Sequence, residues 1–447
     1  MVISEGGLNM EAASTVRTPK KPLAITAPNT ISETGISKSL LEQLAIKILG
    51  LRGEMSLVDL SRIMGLQHSV IEAIFQSLRR EQLCEVKGME LGTYRIIPSS
   101  QGKARAMELL ALNSYAGAAP ISLEQYGARV REQSKAKTVV RAADLVQAFA
   151  SLVLSADLFI RLGTAMVSSR SMFLYGPPGT GKTSIANCIA GVYEDAVWIP
   201  HAIEVDSHII TVYDSSVHQQ VEVTFAEEND QRWVLCRMPK VLAGGELSPE
   251  ELDLQYNAVS RYYTAPLQMK ANNGVFVVDD FGRQRFAPQV LLNRWMTPLE
   301  LGYDFLTLSG GKKIEVPFDA FVVFATNLDP ADLADEAFLR RIPNKINVDY
   351  ATPEQFTAIF QMECAARSLP FDRSMAQHLA FYLQHEVKKP LSHCYVRDII
   401  NQILWNAAFL GGEVQISQST IETACKSYFL ASAKPTTVHP GGLPNNR

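Results

Sequence analysis

Nine residues constrain this chain more than any others: Gly176-Pro177-Pro178-Gly179-Thr180-Gly181-Lys182-Thr183-Ser184. They fit the pattern G-x-x-x-x-G-K-[ST]. The run before them, Ser171 to Tyr175, is short and apolar and reads as a buried strand. The run after them, Ser184 to Ala190, reads as a helix. A strand, a glycine-rich turn and a helix start make an anion site, because free backbone N–H groups and the helix dipole point the same way. The glycines let backbone wrap a phosphate with no Cβ in the way. In such a loop Lys182 reaches the β- and γ-phosphates, and the Thr183 hydroxyl reaches Mg²⁺.

A second motif supports the first. Gly274-Val275-Phe276-Val277-Val278-Asp279-Asp280 is an apolar strand ending in acid. It predicts a carboxylate at the C-terminal edge of a parallel sheet, where α/β folds bind ligands. Asp279 is then expected to hold Mg²⁺ opposite Thr183. Phe321 to Asn327 reads as another buried strand with a polar end, and Lys345 to Val348 as a last one. A short helix, Asp335 to Arg341, lies between them, and Phe305–Leu308 with Lys313–Val316 reads as a β-hairpin. Ala196 to Ile199 is expected as the second parallel strand. The interval from there to Asp279 is long for an alternating α/β domain. Strand-like stretches at Glu204–Tyr213, Val221–Phe225 and Arg232–Arg237 predict a β-rich insertion at about 200–270. Its His201, Asp206, His208, Asp214 and His218 match no established ligand spacing, so ordinary surface roles are the simpler expectation.

The flanks differ in character. Residues 1–37 are rich in Ser, Thr, Pro, Gly and Lys and read as a disordered arm. In residues 38–115, helical spacing, a glycine turn and two short strands around Gly88 and Gly92 resemble a winged helix. Either duplex DNA or another protein would suit that scaffold. His68, Ser69, Glu72, Gln76, Arg79 and Arg80 take the polar positions of its second helix. Residues 116–141 read as a linker with one polar helix carrying Arg129, Arg131, Lys135 and Lys137. One helix is expected from Ala142 to Val167, opening a nucleotide-binding α/β domain over 142–351. Four helical segments over 352–432 predict a separate lid, and 433–447 a disordered tail.

With 447 residues the chain suits two or three domains. A net charge of -4 gives no global case for nucleic acid or an acidic membrane surface. The six cysteines form no C-x-x-C pair, which argues against a disulfide framework or a zinc ribbon. No signal pattern opens the chain, and Asp157 interrupts its most apolar long segment. These features predict a cytoplasmic protein without a membrane span.

Together these residues resemble an AAA+ ATPase over roughly Ala142 to Leu430. The hairpin before Asn327 is most similar to that of the MoxR-like branch. The resemblance implies ATP and Mg²⁺ as cofactors, with Gly176 through Ser184 around the phosphates. It implies that Asn327 helps orient the attacking water. It makes Arg341 or Arg340 the arginine that acts on a neighbour's γ-phosphate, and Arg397 the lid arginine, with Val396 where many relatives have Pro. An ATP-promoted homo-oligomer follows, a hexameric ring acting on a protein client. Plainer readings exist: the paired arginines could cap a helix, Asn327 a strand end, and Arg397 could be a surface residue. Their order along the chain favours the functional set. Two departures stand out. Asp280 occupies the place where the family has a water-polarising Glu, and a displacement of about 1 Å can cost roughly 10²-fold in rate. No aromatic–hydrophobic–glycine pore loop is present. The expected fold is an α/β P-loop NTPase (AAA+) parallel-sheet core with a C-terminal helical lid and an N-terminal winged-helix-like domain. The expected function is a remodelling or chaperone-like ATPase. The alternative is a nucleotide-gated regulator that binds DNA through residues 38–115.

Overall fold

The computed structural model describes residues 24–90, 92–134, 140–193, 195–222 and 229–429. Serine caps and glycine stops shape its N-terminal region. Ser37 accepts from the Leu40 N–H and opens α1 (Lys38–Arg52). After β1 (Met55–Ser56), Ser56 and Asp59 form a capping box on α2 (Leu57–Met64), which Gly65 ends at φ 66°. Then come α3 (His68–Arg80), β2 (Cys84–Glu90), β3 (Thr93–Pro98) and α4 (Ser100–Leu112). The strands form one antiparallel sheet in the order β1-β3-β2. Leu41, Leu60, Ile71, Phe75 and Ile96 are fully buried in its core.

Residues 1–23 of the expected disordered arm lie outside the described residues. The remainder, 24–37, is packed instead. The Ile25 N–H donates to Asn229 Oδ1 at 3.0 Å, and the Asp230 N–H to the Ile25 carbonyl at 2.8 Å. Arg232 gives the physical reason. It is buried with Asp230 as an ion pair at 2.9 Å. Such a pair needs its remaining donors satisfied. Arg232 Nη1 donates to the Thr34 carbonyl at 2.8 Å and to the Pro120 carbonyl at 3.4 Å.

The expected linker, 116–141, is also built into the body. β4 (Ile121–Ser122) joins a sheet, and α5 (Leu123–Glu132) buries Tyr126 and Val130. Arg129 lies over the Trp233 ring at 6.0 Å, not on a solvated face. Lys135 and Lys137 lie outside the described residues. The single helix expected over 142–167 is two, α6 (Ala142–Ala148) and α7 (Ala156–Ser168), because Ser155 caps a new start.

β5 (Met172–Tyr175) and α8 (Lys182–Val192) frame the glycine-rich loop. β6 (Ala196–Pro200), β7 (Ala202–Val205), β8 (His208–Thr211), β9 (Trp233–Arg237) and β10 (Lys240–Ala243) follow. Here the strand expectation is corrected. Ala196–Ile199 lies in β6, which pairs antiparallel with β9 and not in the parallel sheet. The second parallel strand is β10, beside β13 (Val275–Val278). The reason is burial: Val197 and Trp198 fill a β-rich core with Ile121, Ile203 and Trp233. The insertion therefore comes in two parts, one on each side of β10. Its second part holds β11 (Gln255–Asn257), β12 (Tyr262–Thr264) and α9 (Leu267–Lys270). Only Val221 and Glu222 of the expected Val221–Phe225 strand are described, and the Val221 N–H donates to the Leu235 carbonyl at 2.9 Å.

After β13 come α10 (Pro288–Leu301), the hairpin β14 (Tyr303–Thr307) and β15 (Lys313–Pro317), and β16 (Phe321–Thr326). Then follow α11 (Pro330–Leu333), α12 (Glu336–Leu339) and β17 (Asn344–Asn347). The parallel sheet runs β10-β13-β16-β5-β17. All of β13 and β16 is buried, as central strands covered on both faces require. Four helices close the described chain: α13 (Pro353–Ala366), α14 (Arg373–His385), α15 (His393–Leu410) and α16 (Gln418–Tyr428). The fold is α/β, a parallel P-loop sheet with a helical C-terminal region. The tail 433–447 lies outside the described residues. Among the described residues no helix is long and apolar enough to cross a membrane.

Candidate nucleotide site

The loop between β5 and α8 lines a cleft of about 340 Å³ together with the ends of β13 and β16 and the first turn of α15. The α8 N–H groups of Lys182, Thr183 and Ser184 fall in its first turn, where a helix has no internal acceptors for them. Gly179 takes φ 76°, and a Cβ there would lie 2.4 Å from Ser392 Oγ. Gly176 takes φ 138°, and a Cβ there would lie 2.3 Å from the Val348 carbonyl. Lys182 is nearly buried and donates to the Gly176 and Pro177 carbonyls at 2.9 and 2.6 Å. Burial lowers its pKa, and the nearby Asp279 and Asp280 charges oppose that shift. Thr180 donates to the Pro177 carbonyl at 3.0 Å and closes the loop on itself.

The acidic strand end meets this loop. Thr183 Oγ1 donates to Asp279 Oδ1 at 3.1 Å. Cis ligands of an octahedral Mg²⁺ at about 2.1 Å stand about 3.0 Å apart. The two oxygens therefore fit as a pair of Mg²⁺ ligands. Asn327 Nδ2 donates to Asp280 Oδ1 at 3.2 Å. Asp280 adopts φ 47°, a left-handed conformation that Asp and Asn enter more readily than other L-residues. Gln284, which sequence reasoning missed, supports the bend. Its Nε2 donates to the Asp279 carbonyl at 3.2 Å, and its Oε1 accepts from the Gly282 N–H at 2.9 Å.

The α15 start was also missed. His393 Nδ1 lies 2.6 Å from the Thr180 carbonyl, so that nitrogen carries the proton. Ser392 Oγ donates to the Pro178 carbonyl at 3.3 Å, and the Cys394 N–H to the Gly179 carbonyl at 3.1 Å. The available signal was a serine just before a helical run, which reads as a cap but not as a contact with residue 179. Leu152, Leu154, Ile185, Ile359 and Met362 give the cleft an apolar wall. Arg397 lines the same cleft, and its Nε donates to Asp398 Oδ1 at 3.0 Å.

Arg340 and Arg341 do not line this cleft. Arg340 pairs with Glu336 at 3.0 Å on the surface. Arg341 pairs with Glu300 at 2.7 Å and donates to the Ala337 carbonyl at 2.6 Å. Among the described residues no cluster of three His, Cys, Asp or Glu is placed to hold a metal ion. His218 shows a structural use: it accepts from the Asp214 N–H at 2.9 Å, and its other nitrogen meets the Lys270 carbonyl at 2.9 Å.

Residues 172–241 match the ATPase family associated with various cellular activities (AAA). The AAA match spans β5 through the first half of β10 and stops short of Asp279. Residues 352–427, the α13–α16 region, match a domain of unknown function, DUF8689. No curated protein matches the chain. Among solved structures it is similar to the Thermotoga maritima RuvB Holliday junction branch migration motor. That likeness has 11% identity and a TM-score of 0.36, and covers 61% of this chain and 68% of that one. It is also similar to NtrX from Brucella abortus in complex with ADP, at 12% identity and a TM-score of 0.39. There the cover is 75% of this chain and 68% of that one.

Burial lowers the pKa of His393, and of His201 and His218, below the ordinary 6.5. The unfolded chain takes up these protons more readily than the folded one. Their stabilising contribution is therefore full above pH 6.5 and falls as pH drops through the lower folded values. Thermal melts at pH 7.5 and pH 5.5 should show a lower midpoint in acid. His393→Gln should narrow that gap. An equal gap in parent and variant would remove His393 from this account.

Proposed function

We propose that this chain is a Mg²⁺-dependent ATPase of AAA+ type that assembles with copies of itself and uses hydrolysis to remodel another macromolecule. One observation carries the reading: Lys182 and Thr183 at the start of α8, Asp279 and Asp280 after β13, and Asn327 after β16 come from three separate elements to one cleft. The loop amides and Lys182 would hold the phosphates. Thr183 and Asp279 would hold Mg²⁺, which neutralises charge on the phosphate oxygens. Asp280, fixed by Asn327, would orient the attacking water. Arg341 would serve the neighbouring chain, which explains why it lies outside its own cleft. In the single chain Glu300 holds it, and assembly would exchange that partner for phosphate. The cytoplasm suits such an ATPase.

The test is assembly. In sedimentation with Mg²⁺ and ATP the chain should form a larger species than without nucleotide, and its rate per chain should rise with concentration. Arg341→Ala should keep ATP affinity and lose turnover. A monomer with a concentration-independent rate would overturn the ring.

The DNA-binding alternative has less support. We read residues 38–115 as a winged-helix scaffold from their element order and β1-β3-β2 sheet. Groove-reading helices lead with their N-terminal residues. Here Ser69 Oγ, in the first turn of α3, is bonded to the Asn29 carbonyl at 2.8 Å. On β2 and β3, Lys87 and Arg95 both pair with Glu54. Both cations are thus held by one carboxylate rather than left free for phosphates, so a protein partner suits this face better than a phosphate backbone.

A further inference from the structure

A second cleft, of about 300 Å³, lies between the N-terminal helices and the β-rich body. One side is aliphatic, with Leu44 from α1 and Leu109 and Leu112 from α4. The other is aromatic. Tyr256 and Tyr263 have ring centroids 5.0 Å apart, and His208 meets Tyr263 edge-on at 5.7 Å. Lys47 and Arg261 line the same space.

Lys47 is the unusual member. It is only 5% exposed, yet its Nζ makes a single hydrogen bond, to the Asn113 carbonyl at 3.0 Å. An ammonium has three donors. Among the described residues no carboxylate pairs with it. Burial lowers its pKa to about 8, with no opposing charge nearby. A buried cation without a counter-ion is costly, and proteins seldom keep one without compensation. Arg261 sits at the exposed edge with φ 56°, a strained backbone for a non-glycine residue, and donates to the Ala111 carbonyl. Both cations thus meet the C-terminal end of α4, where a helix favours positive charge. That role occupies one donor of each.

We propose that this cleft binds a small organic monoanion: a carboxylate on an aliphatic or aromatic body. The carboxylate supplies the charge that Lys47 lacks and takes the free donors of Lys47 and Arg261. The body lies between the leucines and the tyrosines. One negative charge balances one buried cation, whereas a polyphosphate would bring excess charge against an apolar wall. Such a ligand bridges α1 and α4 to the β-rich body and would tie them together.

Calorimetric titration of the full chain with sodium octanoate, in saturating Mg²⁺ and ADP, tests this. One octanoate per chain is expected. Octanol, the neutral isostere, should bind at least about tenfold more weakly, as loss of a charge-assisted contact implies. Lys47→Met should reduce octanoate to the octanol level, and Lys47→Arg should restore most of the affinity. Arg261→Gln, in a turn, and Tyr256→Ala, on the exposed edge strand β11, should each weaken binding. They read the site even if Lys47→Met fails to fold. Equal binding of octanol and octanoate, or unchanged affinity in Arg261→Gln and Tyr256→Ala, would overturn the proposal. So would displacement of octanoate by ADP, which would put it in the nucleotide cleft.

Discussion

Lys182→Ala should bind ATP at least about 10²-fold more weakly and melt close to the parent chain. Hydrogen bonds to charged groups contribute about 1.5–3 kcal/mol each, and Lys182 would make two with phosphate. In the present state its ammonium instead bridges the Gly176 and Pro177 carbonyls at 2.9 and 2.6 Å. It is thus held at the loop before any phosphate arrives, so little ordering remains to be done on binding. Removing it leaves two carbonyls beside an open cleft, where water can replace it, so the fold should survive. Calorimetry with Mg²⁺ and ATP gives the affinity, and a thermal melt gives the stability. Full-strength binding by the variant would remove the cleft from consideration as the nucleotide site.

Asp280→Asn should keep ATP affinity and lose about 10²- to 10⁴-fold in turnover, the usual range for a general base. Asn is the appropriate replacement because it also tolerates the φ of 47° found here. Its amide oxygen can still accept from Asn327. Shape is preserved, and only the charge and basicity go. Asp280→Glu changes shape instead. The extra methylene carries the carboxylate past Asn327 Nδ2, now 3.2 Å from Asp280 Oδ1. Glu is also a poorer occupant of left-handed backbone. Both effects point the same way, so Asp280→Glu should slow the reaction, although Glu is the residue the family resemblance leads one to expect. Single-turnover hydrolysis under saturating enzyme separates this from binding. A faster Glu variant would show that the backbone has not adapted to the shorter acid. An Asn variant as fast as the parent would move the role away from Asp280.

The parts of the site legible in the sequence were those encoded by local spacing. The glycine loop, the strand ending in Asp279-Asp280 and the strand ending in Asn327 each declare themselves within ten residues. Parallel strands then bring their ends to one edge, so the meeting of Thr183, Asp279 and Asn327 follows from strand type alone. Contacts between distant segments were not legible. Ser392, His393 and Cys394 touch the loop across more than 200 positions, and a serine before a helical run gives no hint of that. β10 was missed because Lys240-Val241-Leu242-Ala243 is four residues long and alternates in burial, as an edge strand does. The longer apolar run at Ala196 outcompeted it on pattern, yet spends its apolar surface in another core. The packing of residues 24–37 depended on Arg232, a buried cation nearly two hundred residues away.

The attachment of α15 to the glycine loop has a mechanical consequence. Its first residues, His393 and Cys394, are bonded to the Thr180 and Gly179 carbonyls. Its far end carries Trp405 and Phe409, which are 63% and 87% exposed. An α-helix of this length is about 27 Å long, so a tilt of about 10° at its base moves the far end by about 5 Å. The loop is a pivot and the helix a lever. Any change in loop shape between empty, ATP and ADP states would thus become a stroke at an apolar tip, with no hinge in between to absorb it.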